Sequence, residues 1–102
     1  MEEQKQRNIR VKIKEKSKFP SLYNVIFHND NVTTMEFVID VLMKIFRKDK
    51  SNATKIMYKV HLEGRGIAGR YTYDIAKTKV QQATELARSN GFPLLITMEP
   101  DI

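Results

Sequence analysis

The sequence predicts an α/β sandwich: one small domain with three helices packed on a three-stranded sheet, in the order β-α-α-β-α-β. Three observations lead there. Apolar residues recur at helical spacing in three stretches, each closed by a polar break or a glycine. Short runs rich in β-branched and aromatic residues stand before, between and after them, as strands require. The chain has 102 residues, enough for one hydrophobic core and too few for two.

Taken in order, residues 1–19 are polar, with Ile9, Val11 and Ile13 as their main apolar content. The alternation has the period of a strand, but the flanking charge favours a flexible basic extension. Pro20 ends it, and the core domain is expected over 20–102. Tyr23-Asn24-Val25-Ile26-Phe27 reads as a buried strand that stops at the turn-forming cluster His28-Asn29-Asp30-Asn31. Thr33-Thr34-Met35-Glu36 fits a capping box with Thr33 as N-cap. Val38, Val41, Leu42, Ile45 and Phe46 then form one apolar stripe of a first helix.

Lys48-Asp49-Lys50-Ser51 is a polar break. A second helix follows with Ala53, Ile56, Met57, Val60 and His61 on its inner side, ending at Gly64. Ile67 to Tyr73 reads as the second strand. Thr72 can cap a third helix with Ile75, Ala76, Val80, Ala83, Leu86 and Ala87 inward, stopped by Asn90-Gly91. Leu94 to Met98 is the last strand.

Composition excludes several classes of function. With no cysteine there is no disulfide scaffold, thiol nucleophile or cysteine-ligated metal. No apolar run approaches the ~20 residues of a membrane span. The first residues lack the apolar stretch of a secretory signal, so a cytoplasmic location is expected. The net charge of +6 invites a nucleic-acid reading. Seven basic against three acidic residues lie in 1–19, leaving eleven against nine for the rest. The excess therefore sits on the extension and not on the folded body. A small RNA-binding module using that basic leader stands as the alternative reading.

Two glycine motifs fail on context. Gly64-Arg65-Gly66-Ile67-Ala68-Gly69 matches G-x-G-x-x-G, but a dinucleotide site needs a strand before it and a helix after it. Here the order is reversed, and the glycines better serve a helix stop and a sharp turn into the strand. Gly66-Ile67-Ala68-Gly69 also fits the G-x-x-G of a KH domain, which joins two helices and not a helix to a strand. His28 and His61, the two histidines, make a poor metal site without further ligands, and no serine sits in a strand-to-helix elbow. No catalytic residue, metal or cofactor is expected.

The Asn29-Asp30 pair carries two readings. One is an Asx turn ahead of a capped helix, with His61 a partly buried histidine satisfied by backbone. The other joins them: an amide oxygen, a carboxylate and a neutral imidazole nitrogen are acceptors that can surround one three-donor cation, a Lys side chain or a free N-terminus. Met35, Val38, Met57 and Val60 lie beside them, and methionines suit a pocket that adapts to differently shaped apolar groups. Such a site would read the first residue of a peptide.

These stretches resemble the ClpS family, adaptors of the bacterial Clp protease. The resemblance is carried by Tyr23-Asn24-Val25-Ile26 running into Asn29-Asp30, and by Thr33-Thr34-Met35-Glu36-Phe37-Val38-Ile39-Asp40-Val41-Leu42. It continues through Met57-Tyr58-Lys59-Val60-His61, Gly64, Gly69, Ala76-Lys77-Thr78-Lys79-Val80 and Pro93-Leu94-Leu95, covering residues 20–99. It implies a non-catalytic monomeric adaptor for N-degron substrates that begin with Leu, Phe, Tyr or Trp. Delivery would be to a ClpA-type AAA+ unfoldase, for degradation by ClpP. It also implies Asn29, Asp30 and His61 as ligands of the α-amino group. Thr33, Met35, Val38, Met57, Val60 and Leu94 would form the pocket, with Met35 as a gate against β-branched residues. Asp74 and Lys79 would dock on the unfoldase, which would engage the extension during hand-off. Two positions depart from the family pattern. Asn31 stands where a second acidic residue is common, which removes one negative charge near the ammonium, and Thr34 replaces a frequent proline ahead of Met35.

Overall fold

A computed structural model describes residues 21–102, so the extension expected over 1–19 lies outside the described residues. The elements are β1 (Leu22–His28), α1 (Met35–Lys44), α2 (Lys50–Glu63), β2 (Arg65–Thr72), α3 (Tyr73–Ser89) and β3 (Leu95–Pro100). The three strands form one antiparallel sheet in the order β2-β1-β3. Among the described residues, three helices and a three-stranded sheet in β-α-α-β-α-β order are the architecture expected from the sequence.

The central place of β1 explains its composition. Asn24, Val25, Ile26 and Phe27 are all buried, because both ladder edges are paired and both faces of the strand are covered. Val25 and Phe27 join the helix-side core with Val38, Val41, Leu42, Met57, Val60 and the alanines of α3. The Phe27 ring meets Phe46 edge-to-face at 5.4 Å. On the other face the Arg65–Glu99 ion pair, 2.6 Å, crosses β1, and Ile26 lies between the positions that Arg65 and Glu99 face. Both partners of that pair are about half exposed, so it adds little stability.

Alanines set how closely α3 approaches the sheet. Ala76, Ala83 and Ala87 are fully buried, whereas Ile75, read from the sequence as inward, is 50% exposed. The stripe runs through 76, 83 and 87, and the residue before Ala76 is rotated about 100° out of it. β2 carries a bulge opposite Val25/Ile26, where Gly69 pairs with Val25 and Ile67 with Ile26.

The three glycines of the G-x-G-x-x-G match all have structural roles. Gly64 ends α2 in the left-handed conformation, with φ 94°. A Cβ on Gly66 would lie 3.0 Å from Val60 Cγ2, and one on Gly69 would lie 2.5 Å from the Tyr71 hydroxyl oxygen. The motif is a close-packed turn into a strand.

Element ends differ from the sequence reading for identifiable reasons. Thr34, not Thr33, is the N-cap of α1, its hydroxyl accepting from the Phe37 amide at 3.1 Å. Thr33 is engaged by Asp30, so the helix starts one residue later and Glu36 falls out of capping-box register. Asp49 caps α2, accepting from the Asn52 amide at 2.8 Å. β2 begins at Arg65 rather than Ile67, and β3 begins at Leu95 rather than Leu94, whose carbonyl accepts from the Arg88 guanidinium at 2.9 Å. Among the described residues, no helix is long and apolar enough to cross a membrane.

Candidate functional site

The loop between β1 and α1 is folded by its own side chains. Asp30 Oδ1 accepts from the amides of Val32 at 2.8 Å and Thr33 at 2.7 Å, and Oδ2 accepts from the Thr33 hydroxyl at 2.8 Å. This is the Asx turn, more fully bonded than the sequence could show. Burial opposes ionisation of Asp30. The Thr33 amide and hydroxyl, the Val32 amide and the charge of Arg88 outweigh it, holding the carboxyl below the ordinary 3.8.

A long-range bond decides where this loop lies. The Asn29 amide donates to the carbonyl of Gly64 at 2.9 Å, tying the end of β1 to the end of α2. Gly64 turns the chain at the foot of α2, so the Asn29-Asp30 turn comes to rest beside the last turn of that helix, which carries His61. Two segments distant in sequence become one rim.

Between them lies a cavity of about 650 Å³ lined by Asn29, Asp30, Asn31, Thr33, Met35, Val38, Met57, Val60 and His61. All nine are residues singled out from the sequence. The tenth, Leu94, does not line it. It is 1% exposed and belongs to the same core cluster as Val38, Met57 and Val60, with its carbonyl accepting from the Arg88 guanidinium at 2.9 Å. Val32, Thr34 and Glu36 also line the cavity; the sequence assigns none of them to the pocket, although each stands next to a residue that it does assign.

The cavity has two chemical halves. Val38, Met57 and Val60 are 6%, 4% and 3% exposed and line it with apolar surface continuous with the core. Met35 opens α1 and is 46% exposed, a flexible apolar side chain free to adjust. Asn29, Asn31 and His61 are exposed polar residues. The inward placement expected for His61 is corrected: Ala53, Met57 and Val60 hold the buried stripe, and the next residue turns about 100° onto the rim. Exposure suits an acceptor better than burial would. The arrangement can take an apolar side chain with a cationic hydrogen-bond donor attached to it.

The other candidates lie elsewhere. His28 Nε2 is 2.8 Å from the Thr97 hydroxyl and takes no part in the cavity. Among the described residues, no three His, Asp or Glu side chains are grouped as a metal site would need. Asp74 is exposed in the first turn of α3. Lys79 is half-buried, its Nζ donating to the Ile45 carbonyl at 2.7 Å and lying 5.3 Å from the Tyr71 ring centre. It thus also satisfies a free carbonyl at the end of α1.

Comparison with known proteins agrees with this architecture. The family model described as "ATP-dependent Clp protease adaptor protein ClpS" matches residues 18–97. The ATP-dependent Clp protease adapter protein ClpS of Clostridium acetobutylicum is 52% identical over 88 residues, covering 86% of this chain and 87% of that one. That of Lawsonia intracellularis is 53% identical over 87 residues, covering 85% and 80%. The structure of Agrobacterium tumefaciens ClpS2 bound to L-phenylalaninamide superposes with a TM-score of 0.78 at 38% identity, covering 81% of this chain and all of that one. The chain belongs to the ClpS family of ATP-dependent Clp protease adaptor proteins, a family of adaptors and not of enzymes.

Proposed function

We propose that this adaptor binds substrate proteins through a free N-terminus whose first residue is Leu, Phe, Tyr or Trp. It would hand them, in the cytoplasm, to a ClpA-type AAA+ unfoldase for degradation by ClpP. One observation carries the reading: an apolar cavity lies directly against a rim of exposed acceptors. The ligand named with the Agrobacterium tumefaciens structure has the matching chemistry. L-phenylalaninamide carries a free α-amine and an aromatic side chain, and its amide stands in for the next peptide unit.

In this reading the first side chain enters between Met35, Val38, Met57 and Val60, and the α-ammonium group is held among Asn29, Asn31 and His61, with Asp30 between them. Glu36, exposed at the same cavity, adds a negative charge near the ammonium. That matters because Asn31 supplies none. Asp74 and Lys79 on α3 lie outside the cavity and are proposed to contact the unfoldase, leaving the cavity open during delivery.

The test is a set of labelled peptides differing only in the first residue, read by fluorescence anisotropy. Burying a large apolar side chain is worth about 1.5–3 kcal/mol, so Leu, Phe, Tyr and Trp peptides should bind about 10- to 100-fold tighter than an Ala peptide. Equal affinity across the set would reject the reading. In the same assay Met35→Ala should admit peptides beginning with Ile or Val, because truncation removes the side chain that crowds a branched Cβ. A variant that still rejects both would show that Met35 is not the gate.

A further inference from the structure

Asp30 stands in the middle of the polar rim, yet it faces its own loop. Three of the roughly four acceptor positions of a carboxylate are taken by Val32 and Thr33. Its charge is met in part by Arg88 of α3. The loop is pinned on either side as well, by the Asn29 amide on Gly64 and by the Thr34 hydroxyl on Phe37. Asn29, Asn31 and His61 are by contrast exposed along the cavity.

We infer that Asp30 is a positioning residue: its carboxylate folds the loop from Asn29 to Thr33, and Asn29, Asn31 and His61 make the contacts to the α-ammonium group. The inference rests on the peptide-binding reading above and deepens it. Contact is then made through neutral acceptors, with full negative charge only nearby. An ammonium seated on Asp30 would have to compete with two backbone amides and a hydroxyl. Removing those partners would take from the Val32 and Thr33 amides and the Thr33 hydroxyl the acceptor that folds the loop, and leave the rim unformed.

The full chain, its Asp30→Ala, Asp30→Asn and Thr33→Val variants, and a labelled Phe-initiated peptide with a free amine separate the roles. An asparagine at this position keeps an oxygen for both amides and offers its NH₂ to the Thr33 oxygen, so the loop is retained while the charge is lost. Asp30→Ala should weaken binding by about 10-fold or more, Asp30→Asn should restore it to within about threefold of the parent, and Thr33→Val should lie between. Amide resonances of Val32 and Thr33 should keep their shifts in Asp30→Asn and move in Asp30→Ala. Equal losses in the two Asp30 variants would overturn the inference, since charge and not geometry would then hold the ammonium. Parent-like binding by Asp30→Ala would overturn it too. Failure of the parent chain to bind the free-amine peptide would reject the peptide reading itself, and this inference with it.

Discussion

Acetylating the α-amine of a Leu- or Phe-initiated peptide is expected to weaken its binding to this protein by about 100-fold or more. Acetylation removes the positive charge and all but one of the donors, and adds bulk where the rim closes around the amine. A hydrogen bond to a charged group is worth about 1.5–3 kcal/mol, and losing two such bonds amounts to about 3 kcal/mol at the least. At about 1.4 kcal/mol per decade that is some two orders of magnitude. The apolar half of the cavity, lined by Val38, Met57 and Val60, would still accept the side chain, so residual binding is expected at high concentration. Titration calorimetry on matched free and capped peptides measures the ratio. A ratio under about threefold would mean that the cavity reads the side chain alone and that the acceptors at Asn29, Asn31 and His61 are incidental.

The second large effect concerns the fold that carries the site. Phe27→Ala should destabilise the domain by about 3–5 kcal/mol, the usual range for emptying an aromatic side chain from a core. Phe27 is fully buried on the central strand, packed edge-to-face on Phe46, and next to it β1 runs into His28 and Asn29. A domain of this size has about 5–15 kcal/mol in all, so the variant should unfold at markedly lower urea with a similar m-value. A loss under about 1 kcal/mol would show that Phe27 is not the centre of this core. The deletion also acts two residues from Asn29, so peptide affinity of the folded fraction should fall as the loop loosens.

Much of the architecture is legible in the sequence because helix and strand periods are local. Val38, Val41 and Leu42, the alanines of α3, and Val25 and Phe27 in alternation reach the core as their spacing requires. Residues just off a stripe are harder. Ile75 and His61 read inward from the sequence and are exposed, since a helix turns about 100° per residue and an apolar or aromatic neighbour does not reveal which side of the boundary it occupies. Cap positions shift for a similar reason. Thr33 and Thr34 are equivalent by composition, and only Asp30's claim on Thr33 leaves Thr34 to cap α1.

The order of elements is readable from the residues alone, and so are Asn29, Asp30, Met35, Val38, Met57, Val60 and His61 as a candidate site, because the acceptor cluster, the methionines and the apolar stripes stand in consecutive or periodic positions. The family, and with it Thr33 as a pocket residue, came from the resemblance. Tertiary structure alone decided that the two halves of the site meet. That depends on the bond from the Asn29 amide to Gly64 and on the left-handed turn at Gly64, contacts between segments far apart in the chain. It also decided that Leu94 belongs to the core and that Asp30 is bonded within its own loop. A carboxylate in a turn has the same residue type whether it binds a ligand or folds the turn, and only the positions of its neighbours' donors tell the two apart.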